Sequence, residues 1–191
     1  MKTIHYSTFT RRIFLAMVLS FLGWMNGYGQ NTIYANSSTG DDSNDGLTPA
    51  TAKKTFTAAY NEADADDIID LTGTFTWTNV GEVTSTTSGF TINKNIEIRG
   101  QGINQTIIQA NSAYNTADRR VFTINTGVNA SFSELTIRNG KTSSTGGAIL
   151  NSGALSISKC NFINNIGPSG GGAIKQNNTA AVLTVNQSIF Q

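Results

Sequence analysis

The chain of 191 residues lacks the raw material of several protein classes. It has 1 cysteine, which excludes a disulfide framework and a zinc site built from several thiolates. Its 1 histidine, His5, lies at the extreme N-terminus. Charged residues make up 13%, too few for a disordered acidic or basic tail, and the formal net charge of +1 gives no reason to expect nucleic acid as a partner. Alanine, glutamate, lysine and leucine are too sparse for a helical bundle or coiled coil. What is present is 26 Thr, 21 Asn, 17 Ser and 19 Gly. Threonine and isoleucine suit strands, and Asn, Gly and Ser suit turns, so many short strands are expected.

Lys2, Arg11 and Arg12 precede the apolar run Ile13–Met25, which is followed by small residues at Gly27 and Gly29. The run is too short to span a bilayer comfortably and has the flanks of a signal peptide, expected over residues 1–29 with cleavage after Gly29. Without Lys2, Arg11, Arg12 and His5 the chain keeps 10 of its 13 Lys+Arg against 12 Asp+Glu, a net of −2, and has no histidine. Secretion is the expectation, and no second apolar stretch reaches spanning length.

The segment 30–70 is the acidic part and reads as an N-terminal cap: a strand at Thr32–Ala35, turn chemistry from Ser37 to Gly46, a helix capped by Thr51 and running to about Ala63, and the beginning of a strand at Ile68. Phe56, Ala59, Tyr60 and Ala63 give the helix one apolar face, suited to covering the open end of a stacked sheet.

Over 71–191 the signal is repetition. GGAI recurs at Gly146–Ile149 and Gly171–Ile174, 25 residues apart, and the strand-like segments starting at Ala130, Leu155 and Leu183 superimpose at steps of 25 and 28. Phe132, Ile157 and Val185 correspond, as do Leu135, Cys160 and Ser188, and Ile137, Phe162 and Phe190. Each unit alternates apolar and polar residues and breaks step at Glu134, Lys159 or Gln187, the mark of two strands meeting at a bend. Short strands with Gly/Asn turns at this period predict an all-β right-handed parallel β-helix, a solenoid with a short N-terminal capping helix. An antiparallel sandwich is the weaker reading, because it leaves the 25-residue step and the repeated GGAI unexplained. The chain stops at Gln191 in mid-repeat, so the coils are expected to be truncated and the chain to be the N-terminal part of a longer protein.

The opening from Ser38 to Thr76 resembles the N-terminal region of secreted parallel β-helix proteins of the pectin-lyase-like superfamily. The paired GGAI with FINN at Phe162–Asn165 resembles the polymorphic outer membrane protein repeat, although TIRN at Thr136–Asn139 stands where that repeat has F-x-x-N. The resemblance implies a secreted or outer-membrane surface protein of adhesin type, in a superfamily that also holds polysaccharide lyases and hydrolases.

Chemistry is sparse. Beyond Leu71 only Glu82, Glu97, Asp118 and Glu134 are acidic, and no two occupy equivalent positions of neighbouring coils, so no carboxylate pair for sugar cleavage is expected. Asp118-Arg119-Arg120 could bind an acidic sugar, but a solvated loop is preferred. Asp41-Asp42-Ser43-Asn44-Asp45-Gly46 matches the opening of a calcium loop, yet Ala52 stands where an EF-hand needs glutamate. An Asx-rich turn is therefore preferred to calcium at Asp41–Asp45. Cys160 reads as a buried small hydrophobe, not a nucleophile. Asn139 and Asn164 are expected to stack their amides along the axis, and Gly146-Gly147 and Gly171-Gly172 to form positive-φ corners. No catalytic, cofactor or metal residue is assigned. The expected role is adhesion, polysaccharide or cell-surface glycan contact, or surface structure. The alternative is a polysaccharide lyase or glycosidase whose catalytic coils lie past residue 191.

Overall fold

The computed structural model describes residues 29–82 and 87–191. The signal peptide expected over 1–29 lies, apart from Gly29, outside the described residues. The chain winds as a parallel β-solenoid of about 4 turns. β1 (Thr32–Asn36) leads through a 3₁₀ turn (Pro49–Thr51) and the helix α1 (Phe56–Glu62) into the first coil, β2 (Ile68–Thr76) and β3 (Phe90–Ile92). The next coil is β4 (Ile96–Arg99), β5 (Thr106–Gln109) and β6 (Phe122–Ile124). The third is β7 (Asn129–Ser133), β8 (Thr136–Arg138) and β9 (Ile149–Asn151), and the fourth β10 (Ala154–Ser158), β11 (Asn161–Ile163) and β12 (Ile174–Gln176). β13 (Val182–Asn186) and β14 (Ile189–Phe190) begin a fifth.

Three parallel sheets result. Sheet A stacks β1, β2, β4, β7, β10 and β13; sheet B stacks the second half of β2 with β5, β8, β11 and β14; sheet C stacks β3, β6, β9 and β12. β2 crosses the boundary expected at 70/71 and belongs to both A and B, bending at Gly73 (φ 98). Cap and coils therefore share a strand.

The alternation read from the sequence decides which side chains point inward. Ile33, Ile69, Ile98, Phe132, Ile157 and Val185 form one column in sheet A, including the three residues aligned from the repeat. Phe75, Ile108, Ile137, Phe162 and Phe190 form another in sheet B. Each interior member gains roughly 1.5–3 kcal/mol of burial because a neighbour lies above and below it. Coil steps in sheet A are 29, 34, 25 and 28 residues, from Ile69 to Ile98, Phe132, Ile157 and Val185. The inserted residues sit in loops outside the column, notably 110–121 between β5 and β6. The bends expected at Glu134, Lys159 and Gln187 are left-handed residues with φ of 55, 52 and 46. They turn the chain from sheet A to sheet B at the same corner of successive coils.

The apolar face of the helix is as expected, with Phe56, Ala59, Tyr60 and Ala63 buried. Its start is not. Thr55, not Thr51, is the N-cap, and the helix begins at Phe56. Lys53 is instead bridged to Ala35 in parallel, with Asn36 N donating to Lys53 O (2.8 Å) and Lys53 N to Tyr34 O (2.9 Å). An extended residue there cannot be helical. Phe56 packs against Trp77, Phe90 and Phe122 at ring separations of 5.5, 4.8 and 5.6 Å, so the helix plugs the first coils with aromatic surface.

Candidate functional site

The acidic turn is built by its own hydrogen bonds. Asp41 Oδ1 accepts from Ser43 N and Oγ at 2.9 and 2.7 Å, and Asp45 Oδ1 accepts from Leu47 N and Thr51 Oγ1 at 3.0 and 2.6 Å. The Ser43 amide holds the Asp41 carboxyl below its ordinary pKa, and the Thr51 hydroxyl does the same for Asp45. Asp42 turns the other way, toward the helix. Its Oδ1 accepts from Lys54 N and Thr55 N, both at 2.8 Å, and its Oδ2 from Thr55 Oγ1 at 3.0 Å.

Glu82 completes that arrangement. Oε1 accepts from Phe56 N (3.0 Å) and Oε2 from Thr57 N (3.2 Å), while Thr55 Oγ1 accepts from Ala58 N (3.0 Å). Consecutive amides from Lys54 to Ala58 are thus satisfied by three side chains drawn from three segments. Burial pushes the Glu82 carboxyl pKa up, against the pull of these amides. At the other end of the helix, Lys94 Nζ donates to Tyr60 O (2.6 Å) and to Ala63 O, closing its last carbonyls. These carboxylates and this lysine hold the cap in place. Among the described residues no three Asp, Glu, His or Cys side chains come together as a metal-binding group.

The remaining acids are dispersed. Glu97 lies on the outer side of β4, Asp118 on the loop between β5 and β6, and Glu134 at a coil corner, 3.0 Å from Lys159 Nζ. Asp118 pairs with Arg119 at 2.9 Å, but Arg120 departs from the solvated loop expected of this cluster. Its side chain is buried beside the start of β6 and its Nε has no partner. Arg119 too is largely covered, its side chain 13% exposed, because the loop folds back on the coils, which charge counting ignores.

Cys160 is inward and 1% exposed, at the position between Leu135 and Ser188, with Ser188 Oγ accepting from its amide at 3.0 Å. Burial pushes its thiol up to about 11, which keeps it protonated and unreactive. Asn139 and Asn164 both adopt φ of 57, but their amides do not stack. Asn139 Nδ2 donates to Asn111 O at 3.0 Å, because a left-handed residue aims its side chain at the adjoining loop. The amide pair that does bridge coils is Asn151 Nδ2 to Gln176 Oε1, 2.6 Å, in sheet C. Only the first glycine of each pair has positive φ, Gly146 at 67 and Gly171 at 61. Gly147 is needed for room: a Cβ there would lie 2.5 Å from Ile166 O and 2.6 Å from Gly172 O.

One open groove lies on the outer surface of the coils. It has a volume of about 330 Å³ and runs along the axis across the outer face of sheet A. Strand register aligns Glu97 with the short hydroxyl side chains of Ser131, Ser156 and Thr184 along its floor, and apolar residues including Ala154 and Val182 line it beside them. Asp66 and Asn95 stand at the cap end, with Asn95 Nδ2 donating to Asp66 Oδ1 at 3.0 Å. A second column of Asp70, Arg99, Ser133, Ser158 and Asn186 runs beside it, and Arg99 grips Asp70 through Nε and one terminal nitrogen at 2.9 and 2.8 Å. The hydroxyls repeat at the inter-strand spacing of about 4.8 Å, so the surface offers a regular series of donors and acceptors along one line. The sequence contained this signal in the polar positions between the aligned apolar ones. It could not show that they line a groove. Comparisons with protein-family models, with curated proteins and with solved structures found no match.

Proposed function

We propose that this chain is a secreted or cell-surface β-helix protein whose sheet A face makes adhesive or carbohydrate contact. The observation that carries the reading is the axial groove floored by Ser131, Ser156 and Thr184. Short hydroxyls on a rigid ladder lose little rotamer freedom when they bind, and they match the alternating donors and acceptors of a sugar chain. The basic and apolar start of the sequence supports export, and the GGAI and FINN motifs support kinship with polymorphic outer membrane protein repeats and a place on the outer surface. The dispersal of Glu97, Asp118 and Glu134 supports binding over cleavage.

The test has two arms. Protease treatment of intact cells expressing the chain should remove it from the surface fraction. A glycan array should give binding that the outward substitution Ser156→Arg abolishes with its circular dichroism unchanged. Protection from protease in intact cells, or an array on which no glycan binds, would overturn the proposal.

A further inference from the structure

The charge around the groove narrows what could lie in it. Among the described residues, the only charged ones lining it are Asp66 and Glu97, both acidic. Asp66 is exposed, and one of its oxygens already takes the Asn95 amide. Glu97 is half-buried on the outward side of β4 and makes no ion pair among the described residues. The nearest cation in strand register is Arg99, two residues along β4, and its guanidinium is committed to Asp70. Lys94 is drawn to the helix carbonyls, and Lys159 to Glu134. The groove is therefore uncharged over β7, β10 and β13, where Ser131, Ser156 and Thr184 alternate with apolar residues such as Ala154 and Val182, and negative at the end nearest the cap.

We infer, resting on the glycan-contact reading above, that the groove takes an amine-bearing glycan, with a protonated amino sugar at Glu97 and Asp66 and the hydroxyls of the following sugars along Ser131, Ser156 and Thr184. A protonated amine supplies charge-assisted donors to the Glu97 carboxylate, which accepts no hydrogen bond from the described residues. A polyuronate would bring its carboxylates against Asp66 and Glu97 with no free cation in the groove to meet them, and like charges at that range repel. A glycan is favoured over a basic peptide because Ser131, Ser156 and Thr184 set one hydroxyl on each of three successive rungs of the floor, matching the repeat of sugar hydroxyls, and the edge of β13, which borders the groove at one end, is the reason oligolysine is included in the test.

The experiment measures binding of a glucosamine oligomer, its fully N-acetylated counterpart, a galacturonate oligomer and oligolysine to the whole chain at low ionic strength, below the amine's pKa. The glucosamine oligomer should bind about tenfold tighter than the acetylated one, and the galacturonate oligomer more weakly than either. Glu97→Gln should erase the difference between the aminated and acetylated oligomers, and added salt should reduce the same difference. Four results would overturn the inference. They are galacturonate binding as tightly as glucosamine, equal binding of both glucosamine forms, a preference that survives Glu97→Gln, or oligolysine matching the aminated glycan. Binding of no oligomer at all would instead overturn the glycan-contact reading itself.

Discussion

The first and last of the described coils stack in the same sheets and differ in what lies against them. In the sheet A column, Ile33 is 2% exposed and Ile69, Ile98, Phe132 and Ile157 are 1% or less, whereas Val185 is 43% exposed. In sheet B, Phe162 is fully buried and its register partner Phe190 is 47% exposed. The cap end is closed by β1, by α1 and by the aromatic group of Phe56, Tyr60, Trp77, Phe90 and Phe122. Inward orientation alone does not bury a side chain in a solenoid. A second coil on its far side does, and the helix substitutes for that coil at one end.

The strongest way to break this comparison is to remove one ring from each end. Phe56 is completely buried and touches four other rings. Phe56→Ala should cost about 3–5 kcal/mol in denaturant unfolding. Phe190 stacks on Phe162 alone, at 4.8 Å, so Phe190→Ala should cost about 1 kcal/mol or less. Equal losses would show that the last coil is as tightly held as the first, contrary to its exposure.

A like-for-like pair one coil apart sharpens the point. Gly147 lies beneath Gly172, and an added Cβ would meet two backbone oxygens within 2.6 Å. At Gly172 the nearest atom, Asn165 O, is 3.0 Å away, and only one other lies within 4 Å. Gly147→Ala should cost roughly 1–3 kcal/mol as overpacking, and Gly172→Ala a fraction of that. Comparing their thermal midpoints checks it.

What the sequence disclosed follows the same division. The coils were legible because strand alternation and a fixed step are periodic properties, and Phe132, Ile157 and Val185 fall in one column as their spacing requires. The apolar face of α1 was legible for the same reason, but its first residue was not. Position 51 offers a good capping threonine, yet the bridge from Lys53 to Ala35 and the Asp42 carboxylate keep residues 52–55 extended. Those partners lie 12 to 18 positions away, beyond the reach of a local rule. Burial of Arg120 and the groove on sheet A were hidden likewise, because both depend on which loops the coils bring together.

Cys160 tests the interior away from either end. Its thiol is raised from 9.0 to about 11, so the folded chain holds the proton more firmly than the unfolded one. The stability this contributes is complete below the ordinary thiol pKa and is lost as pH rises from about 9 through about 11. Cys160→Ala should be less stable than the parent at pH 8, and the gap should narrow toward pH 11 when both are unfolded in denaturant. In the parent at pH 8, iodoacetamide should label the thiol only after unfolding. Rapid labelling of the native chain would mean that the coil stack opens at this level.

The smallest effect belongs to the surface corner. Glu134 and Lys159 are paired across two coils, but their side chains are 42% and 57% exposed, so the pair itself is worth about 0–1 kcal/mol. Lys159 also carries a left-handed backbone, φ 52, a conformation that costs a residue with a Cβ roughly 1–2 kcal/mol. Lys159→Ala removes the ion pair and keeps the strain, whereas Lys159→Gly removes both. The glycine variant should therefore be more stable than the alanine variant by about 1 kcal/mol, less the extra chain entropy that glycine loses on folding. At Gln187, one coil further on, the corner has φ 46 and no described coil stacks on its far side, so the same Ala-to-Gly comparison there should give the same sign. If the gain appears at Lys159 but not at Gln187, the left-handed corner is imposed by the stacked coils and relaxes where stacking ends.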